Sequence, residues 1–309
     1  MKRSKIILLT TVVMIIAVSS CKKDVLETTE LSPAGKYHSL QDFYDQNGVA
    51  TQTFFIYPDQ NNIIAGDSGT IIGIAPNSLV DNSGFPPSGV VKVTMREIYD
   101  IKSMVLSHRP TTSNGTILKS GGMFYLEFSA NNVSYKPDTV LGAAMPSDTG
   151  MLGMKVYYGQ PDLDYGINWI IDSSSVVIDT LNSHAFSFDS LSYGWMSVNK
   201  VFPIVNPADV AITPIVNTER GEPVDLAVYL LFPSVNSVMN VSNTSSQQSV
   251  TAHNIPIGMQ AVAAVVGIGR ITNKAYFGKT NFTVTSPQNV SVNVSQMTDQ
   301  QIFDSLANL

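Results

Sequence analysis

The chain has 309 residues, a formal charge of −6, 14% charged residues and 44% hydrophobic residues. An acidic, weakly charged surface lacks the basic footprint that nucleic-acid binding requires, while the apolar share is ample for a buried core. The single cysteine, Cys21, excludes disulfides within the chain and Cys-ligated zinc, and His38, His108, His184 and His253 fall at no metal-ligand spacing, so no metal or cofactor is expected.

In chain order, Lys2, Arg3 and Lys5 precede the apolar run Ile6 to Val18, and Ser19, Ser20 and Cys21 follow. A positive start, a short apolar stretch and small residues before a cut site form a secretory signal over residues 1–20. The run is shorter than the ~20 residues of a membrane-spanning helix. Val18-Ser19-Ser20-Cys21 resembles the lipobox of bacterial lipoproteins. The resemblance implies cleavage before Cys21, acylation of its sulfur and new amine, and attachment to the cell envelope at the outer membrane, on either face. Two or more acyl chains make a stable anchor. Lys2, Arg3 and Lys5 are the only charges in the leader, so its loss takes the formal charge from −6 to −9.

Residues 21–50 read as a tether, with Pro33, Gly35 and room for a short amphipathic helix around Ser39 to Tyr44. From about residue 51 the pattern is β: short runs of Val, Ile, Phe, Tyr and Thr separated by Gly, Asn, Ser, Asp and Pro. The predicted strands are Thr53–Tyr57, Thr70–Ala75, Val90–Tyr99, Met123–Ser129, Lys155–Tyr158 and Ser175–Thr180. They continue with Trp195–Phe202, Val210–Thr213, Leu226–Phe232, Gln260–Gly267, Phe282–Thr285 and Val290–Val294. Ala261 to Ile268 is almost uninterrupted apolar sequence, as in a strand covered on both faces. Thr298 and Gln301 form a capping box before Ile302, Phe303, Leu306 and Leu309, which predicts a terminal helix docked on the last sheet. The expected class is all-β, with two sandwich-like domains over residues 51–202 and 203–309.

A family resemblance runs through Gly69-Thr70-Ile71-Ile72-Gly73-Ile74-Ala75-Pro76-Asn77-Ser78-Leu79-Val80, Gly89-Val90-Val91-Lys92-Val93, Glu97, Pro110-Thr111-Thr112 and Leu118-Lys119-Ser120-Gly121-Gly122-Met123. Across about residues 55–130 this is similar to the β-sandwich module first described in ankyrins and netrin receptors, in the form found in Bacteroidota envelope lipoproteins. Its pattern includes a Gly-Gly turn, here Gly121-Gly122, into an aromatic strand. Gly194-Trp195 through Phe202 resembles a strand that follows that module, with Ser197 and Asn199 where Asn and Asp are usual. Ile255-Pro256-Ile257-Gly258 resembles the opening of carboxypeptidase-regulatory and immunoglobulin-like modules. These resemblances imply noncatalytic interaction modules.

Several short motifs carry chemistry elsewhere. Gly66-Asp67-Ser68-Gly69 copies the nucleophile turn of trypsin-like proteases, but only His38 lies upstream, so a turn between strands is expected. His184-Ala185-Phe186-Ser187 echoes a self-cleavage site at the wrong spacing and reads as a strand with Phe186 and Phe188 facing inward. Asp162, Asp164 and Asp172 lack the ligand loop of a Ca²⁺ site. Asp138-Thr139-Val140, Asp179-Thr180-Leu181, Asp189-Ser190-Leu191 and Asp304-Ser305-Leu306 resemble envelope O-glycosylation sites. Tyr157, Tyr158, Tyr165, Trp169 and Trp195 supply rings for a sugar platform, and Tyr165 and Trp169 are expected to be exposed because they lie among turn residues. The expected function is therefore a noncatalytic, lipid-anchored scaffold or binding module. A glycan-binding lipoprotein of nutrient capture and an unrecognised hydrolase are the alternatives.

Overall fold

The computed structural model describes residues 35–139, 141–147, 152–162, 166–173, 177–180, 185–189, 191–218, 221–245 and 248–309. Cys21, Tyr165 and His184 lie outside the described residues. Strands account for 55% and helices for 11%, which places the chain in the all-β class.

The elements run α1 (Leu40–Asn47), β1 (Gln52–Ile56), β2 (Asn62–Ala65), β3 (Ile71–Ile74), β4 (Leu79–Val80), β5 (Val91–Ile98) and α2 (Ile101–Leu106). Next come β6 (Thr112–Ser113), β7 (Thr116–Ala130), β8 (Val133–Pro137), β9 (Gly142–Pro146), β10 (Lys155–Asp162), β11 (Gly166–Ile171), β12 (Ile178–Thr180), β13 (Ala185–Phe188) and β14 (Gly194–Val201). The remainder is β15 (Pro207–Val216), β16 (Val224–Phe232), β17 (Ser237–Thr244), β18 (Val250–Pro256), β19 (Gln260–Gly269), β20 (Ala275–Thr283), β21 (Gln288–Gln296) and α3 (Asp299–Ala307).

Two sandwich-like halves result. In the first, a sheet with the path β1-β5-β7-β14-β10-β11 faces a smaller sheet ordered β12-β13-β9-β3-β2. Alternation along β5 sends Val91, Val93 and Met95 inward to meet Phe124, Leu126 and Phe128 from β7, leaving Lys92, Thr94 and Arg96 on the outer face. In the second half, the path β17-β16-β19-β20-β21-β15-β18 turns at a short link, Tyr276↔Gln296 and Phe277↔Ser295. The sheet thereby folds over its own core of Val210, Ile212, Leu226, Leu230, Val265 and Val292. Every residue of β19 after Gln260 is buried because its second face meets another core, as the unbroken apolar run implies.

That further core contains Tyr229, Ala264 and Phe277 from the second half, Met123 and Trp169 from the first, and all three helices. Helix α1 begins at Ser39, whose hydroxyl accepts the Asp42 amide at 3.0 Å, and it buries Phe43 and Tyr44. Part of the segment read as tether is therefore folded: Phe43 and Tyr44 after a Ser cap dock a helix. The capping box of α3 forms as expected, and Ile302 and Leu306 seat it in this core beside α2, with Lys279 of β20 donating to the Ser305 carbonyl at 2.5 Å.

One local expectation fails. Gly121-Gly122 is no turn but an interior stretch of β7, where the register with β14 slips between Ser197 and Asn199. Gly121 and Gly122 of β7 together lie opposite the single residue Val198 of β14, which makes a bulge. Gly122 has φ 111, and a Cβ there would stand 2.3 Å from the Tyr99 ring, so both conformation and space require glycine. Ser197, donating to the Gly122 carbonyl at 2.8 Å, gives this strand position a structural role.

Candidate functional site

The Gly66-Asp67-Ser68-Gly69 turn is held by a carboxylate. Glu97, only 5% exposed, accepts the Ser68 amide at 2.9 Å, the Thr70 amide at 2.9 Å and Gln52 Nε2 at 2.8 Å. Burial raises the pKa of Glu97, but hydrogen bonds from Thr70, Gln52 and Ser68 together outweigh it and hold the carboxyl below its ordinary value. Ser68 thus serves through its backbone. Asp100, on the wall of the same cleft of about 700 Å³, caps α2 by accepting the Ser103 amide at 2.7 Å. Both carboxylates are engaged as structural acceptors.

Trp169 does not form the expected platform. It is 0% exposed, and its indole Nε1 donates to the Pro110 carbonyl at 2.7 Å. The expectation fails because Asn168 and the neighbouring Asp residues look like a turn, whereas Gly166–Ile171 is a strand paired along β10. A segment distant in sequence then covers that strand.

The covering segment is fixed by the end of α2. His108 N donates to the Val105 carbonyl at 3.1 Å and Arg109 N to the Met104 carbonyl at 2.8 Å, while His108 takes φ 50. This is a Schellman motif with histidine at the left-handed position that glycine usually fills. Gly166 allows the close approach, since a Cβ on it would stand 2.7 Å from the His108 ring. The turn sends Pro110 to Trp169 and sets the Arg109 guanidinium 5.0 Å from the centroid of the Trp195 ring.

Trp195 stands on the outer face of the large sheet, half-buried. Register places Arg96 opposite Tyr125 and Tyr125 opposite Trp195, so the three share one row across β5, β7 and β14. The Tyr125 and Trp195 ring centroids are 5.5 Å apart at 54°. The adjoining row holds Thr53, Thr94 and Glu127, with the Tyr125 hydroxyl donating to Glu127 at 3.3 Å. Phe55, 70% exposed, lies opposite Lys92 on the same face. Of the rings considered from sequence that lie among the described residues, Trp195 belongs to this face, and Tyr157 and Trp169 are buried. Tyr125, Arg96 and Arg109 were missed. Alternation of Tyr125 and Glu127 with buried Phe124, Leu126 and Phe128 was the available signal for the first.

A second concavity, about 480 Å³, lies between β6–β7, β11, β17 and β18, with Asn114, Asn168, Thr116, Thr251, Met239 and Val241 among its lining. Asn114 and Asn168 bond each other, by amide to side-chain oxygen at 2.8 Å and between side chains at 3.0 Å. Asp162 and His253 are also in its lining, beside these amides and hydroxyls.

Among the described residues no group of three or more His, Cys, Asp or Glu could hold a metal, and no helix is long and apolar enough to cross a membrane. No protein-family model matches the chain, and no curated protein matches it.

Proposed function

We propose that this chain is a noncatalytic, lipid-anchored protein of the cell envelope that acts as a scaffold or binding module. The observation that carries the proposal is the leader: a basic start and a short apolar run end at Val18-Ser19-Ser20-Cys21, on the only cysteine of the chain. Thirteen residues lie between Cys21 and Gly35, the first described residue, and an extended chain of that length spans at most about 50 Å. An acylated Cys21 would hold a β-rich body within that reach of a bilayer, at the outer membrane on its periplasmic or surface face. The engagement of Glu97 and Asp100 as structural acceptors supports a binding role over a hydrolytic one.

Fractionation tests the anchor. The natural chain should stay with membranes through high-salt washing, and Cys21→Ala should be released. Retention of the variant in the washed membranes would refute lipid anchoring at this residue.

A second reading, glycan binding, is favoured by the half-buried Tyr125–Trp195 pair on the outer face of the large sheet, beside exposed Lys92 and Arg96. Sugar C–H faces stack on such rings. With Trp169 buried, Tyr125 and Trp195 are the rings on which this reading rests.

A further inference from the structure

Two arginines reach the Tyr125–Trp195 pair from unrelated elements. Arg96 comes from β5, on the row shared with both rings, and its Nε donates to Thr51 Oγ1 at 2.8 Å. Arg109 comes from the turn after α2, lies over the Trp195 ring and gives one terminal nitrogen to the His108 carbonyl at 2.9 Å. Its Nε is buried without a hydrogen-bond partner. Among the described residues neither arginine forms an ion pair with a carboxylate; the Lys and Arg pairs seen there include Lys36–Asp299 and Arg270–Asp225.

The face is locally positive in a chain of net charge −6. The outward positions of β5 carry Lys92, Thr94 and Arg96, those of β7 carry Tyr125, Glu127 and Ser129, and Arg109 joins from above. Glu127 is the one carboxylate in these rows. Burial, and then the nearby charge of Arg96, lower the pKa of Arg109, with Asp45 opposing. Two like charges held near each other beside half-buried rings favour an anion that both can reach.

We propose that the face formed by Arg96, Tyr125, Trp195 and Arg109 binds saccharides that carry carboxylate groups. The two rings, 5.5 Å apart and tilted by 54°, do not form one flat platform, which suits a puckered sugar better than a flat aromatic ligand. The sugar C–H faces contact Tyr125 and Trp195, and the carboxylate accepts hydrogen bonds from the two guanidinium groups. The inference rests on the glycan reading above and adds the charge of the ligand.

The test is affinity electrophoresis of the full chain in detergent against polygalacturonate, alginate and hyaluronan. Methyl-esterified polygalacturonate, neutral xylan and laminarin, and poly-glutamate are run beside them. Retardation by at least one carboxylated polysaccharide is expected, with binding weakened about tenfold or more by Arg96→Gln and by Trp195→Ala. Esterification and added salt should weaken binding to a similar degree. Arg96 is exposed, so Arg96→Gln should keep the fold, which circular dichroism would verify. Equal retardation by esterified and free polygalacturonate would overturn the inference while leaving glycan binding intact. No retardation by any polysaccharide would overturn both. Poly-glutamate binding as strong as the sugars, or no effect of Trp195→Ala, would reduce the face to simple charge attraction and overturn the inference as well.

Discussion

His108 Nδ1 lies 2.6 Å from the hydroxyl oxygen of Tyr229, which itself lies 2.7 Å from that of Tyr44. The His108 ring stacks on Tyr44 with centroids 4.7 Å apart and planes within 9°. A β-strand of the second half, the helix before β1 and the turn after α2 are thereby joined at one buried point. A non-glycine residue in the left-handed region costs about 1–2 kcal/mol, so the ring contacts must offset the strain at His108.

Burial first, and the charge of Arg109 second, push the pKa of His108 from 6.5 down to about 4. A depressed histidine is neutral in the native state while the unfolded chain still takes up a proton, so stability is greatest above pH 6.5 and falls toward pH 4. The full loss is about 3 kcal/mol, from the size of the shift and 1.36 kcal/mol per unit. Urea unfolding between pH 7.5 and 4 should show this slope in the natural chain. It should be weaker in His108→Asn, because asparagine tolerates the left-handed conformation and does not titrate.

Tyr229→Phe removes the hydroxyl shared by Tyr44 and His108. With both partners buried, the expected cost is about 1–3 kcal/mol. Adding Tyr44→Phe should cost less in that background than alone, which a double-mutant cycle of unfolding free energies would measure.

At the Gly66–Gly69 turn, stability should follow Glu97 and not Ser68. Glu97→Gln keeps the shape but turns one acceptor into a donor facing amide hydrogens, for a loss of about 1–3 kcal/mol. Ser68→Ala keeps the backbone bond and should change stability by less than about 0.5 kcal/mol. Because the Glu97 pKa is depressed, its contribution is present above the ordinary carboxyl range and is lost as pH falls through its folded value. Thermal melts of both variants at neutral and acidic pH would check each point.

The two tryptophans should separate stability from binding. Trp169→Ala empties a fully buried site and leaves the Pro110 carbonyl unpaired, for about 3–5 kcal/mol. Trp195→Ala, on a half-open face, should cost far less while weakening polysaccharide binding. Equal destabilisation by both would argue that Trp195 is only a packing residue.

What could be read from the residues was local. Alternation gave β5 and β21, the apolar run gave β19 as a doubly covered strand, and Thr298 with Gln301 gave α3. Trp169 was misread because the Pro110 segment that buries it lies fifty-nine residues earlier, and local composition carries no trace of a distant cover. The Gly121-Gly122 bulge likewise depends on the register of β7 with β14. The Arg96–Tyr125–Trp195 row exists only once three strands are aligned, and Arg109 joins it through a turn that histidine, not glycine, occupies. Pairing between distant segments sets such sites.

Intact mass of the protein extracted from membranes tests the anchored, noncatalytic reading most directly. A polypeptide starting at Cys21, heavier than residues 21–309 by diacylglyceryl plus an N-acyl chain, is the expected species. An unacylated polypeptide that keeps its leader or begins at another residue would contradict the account.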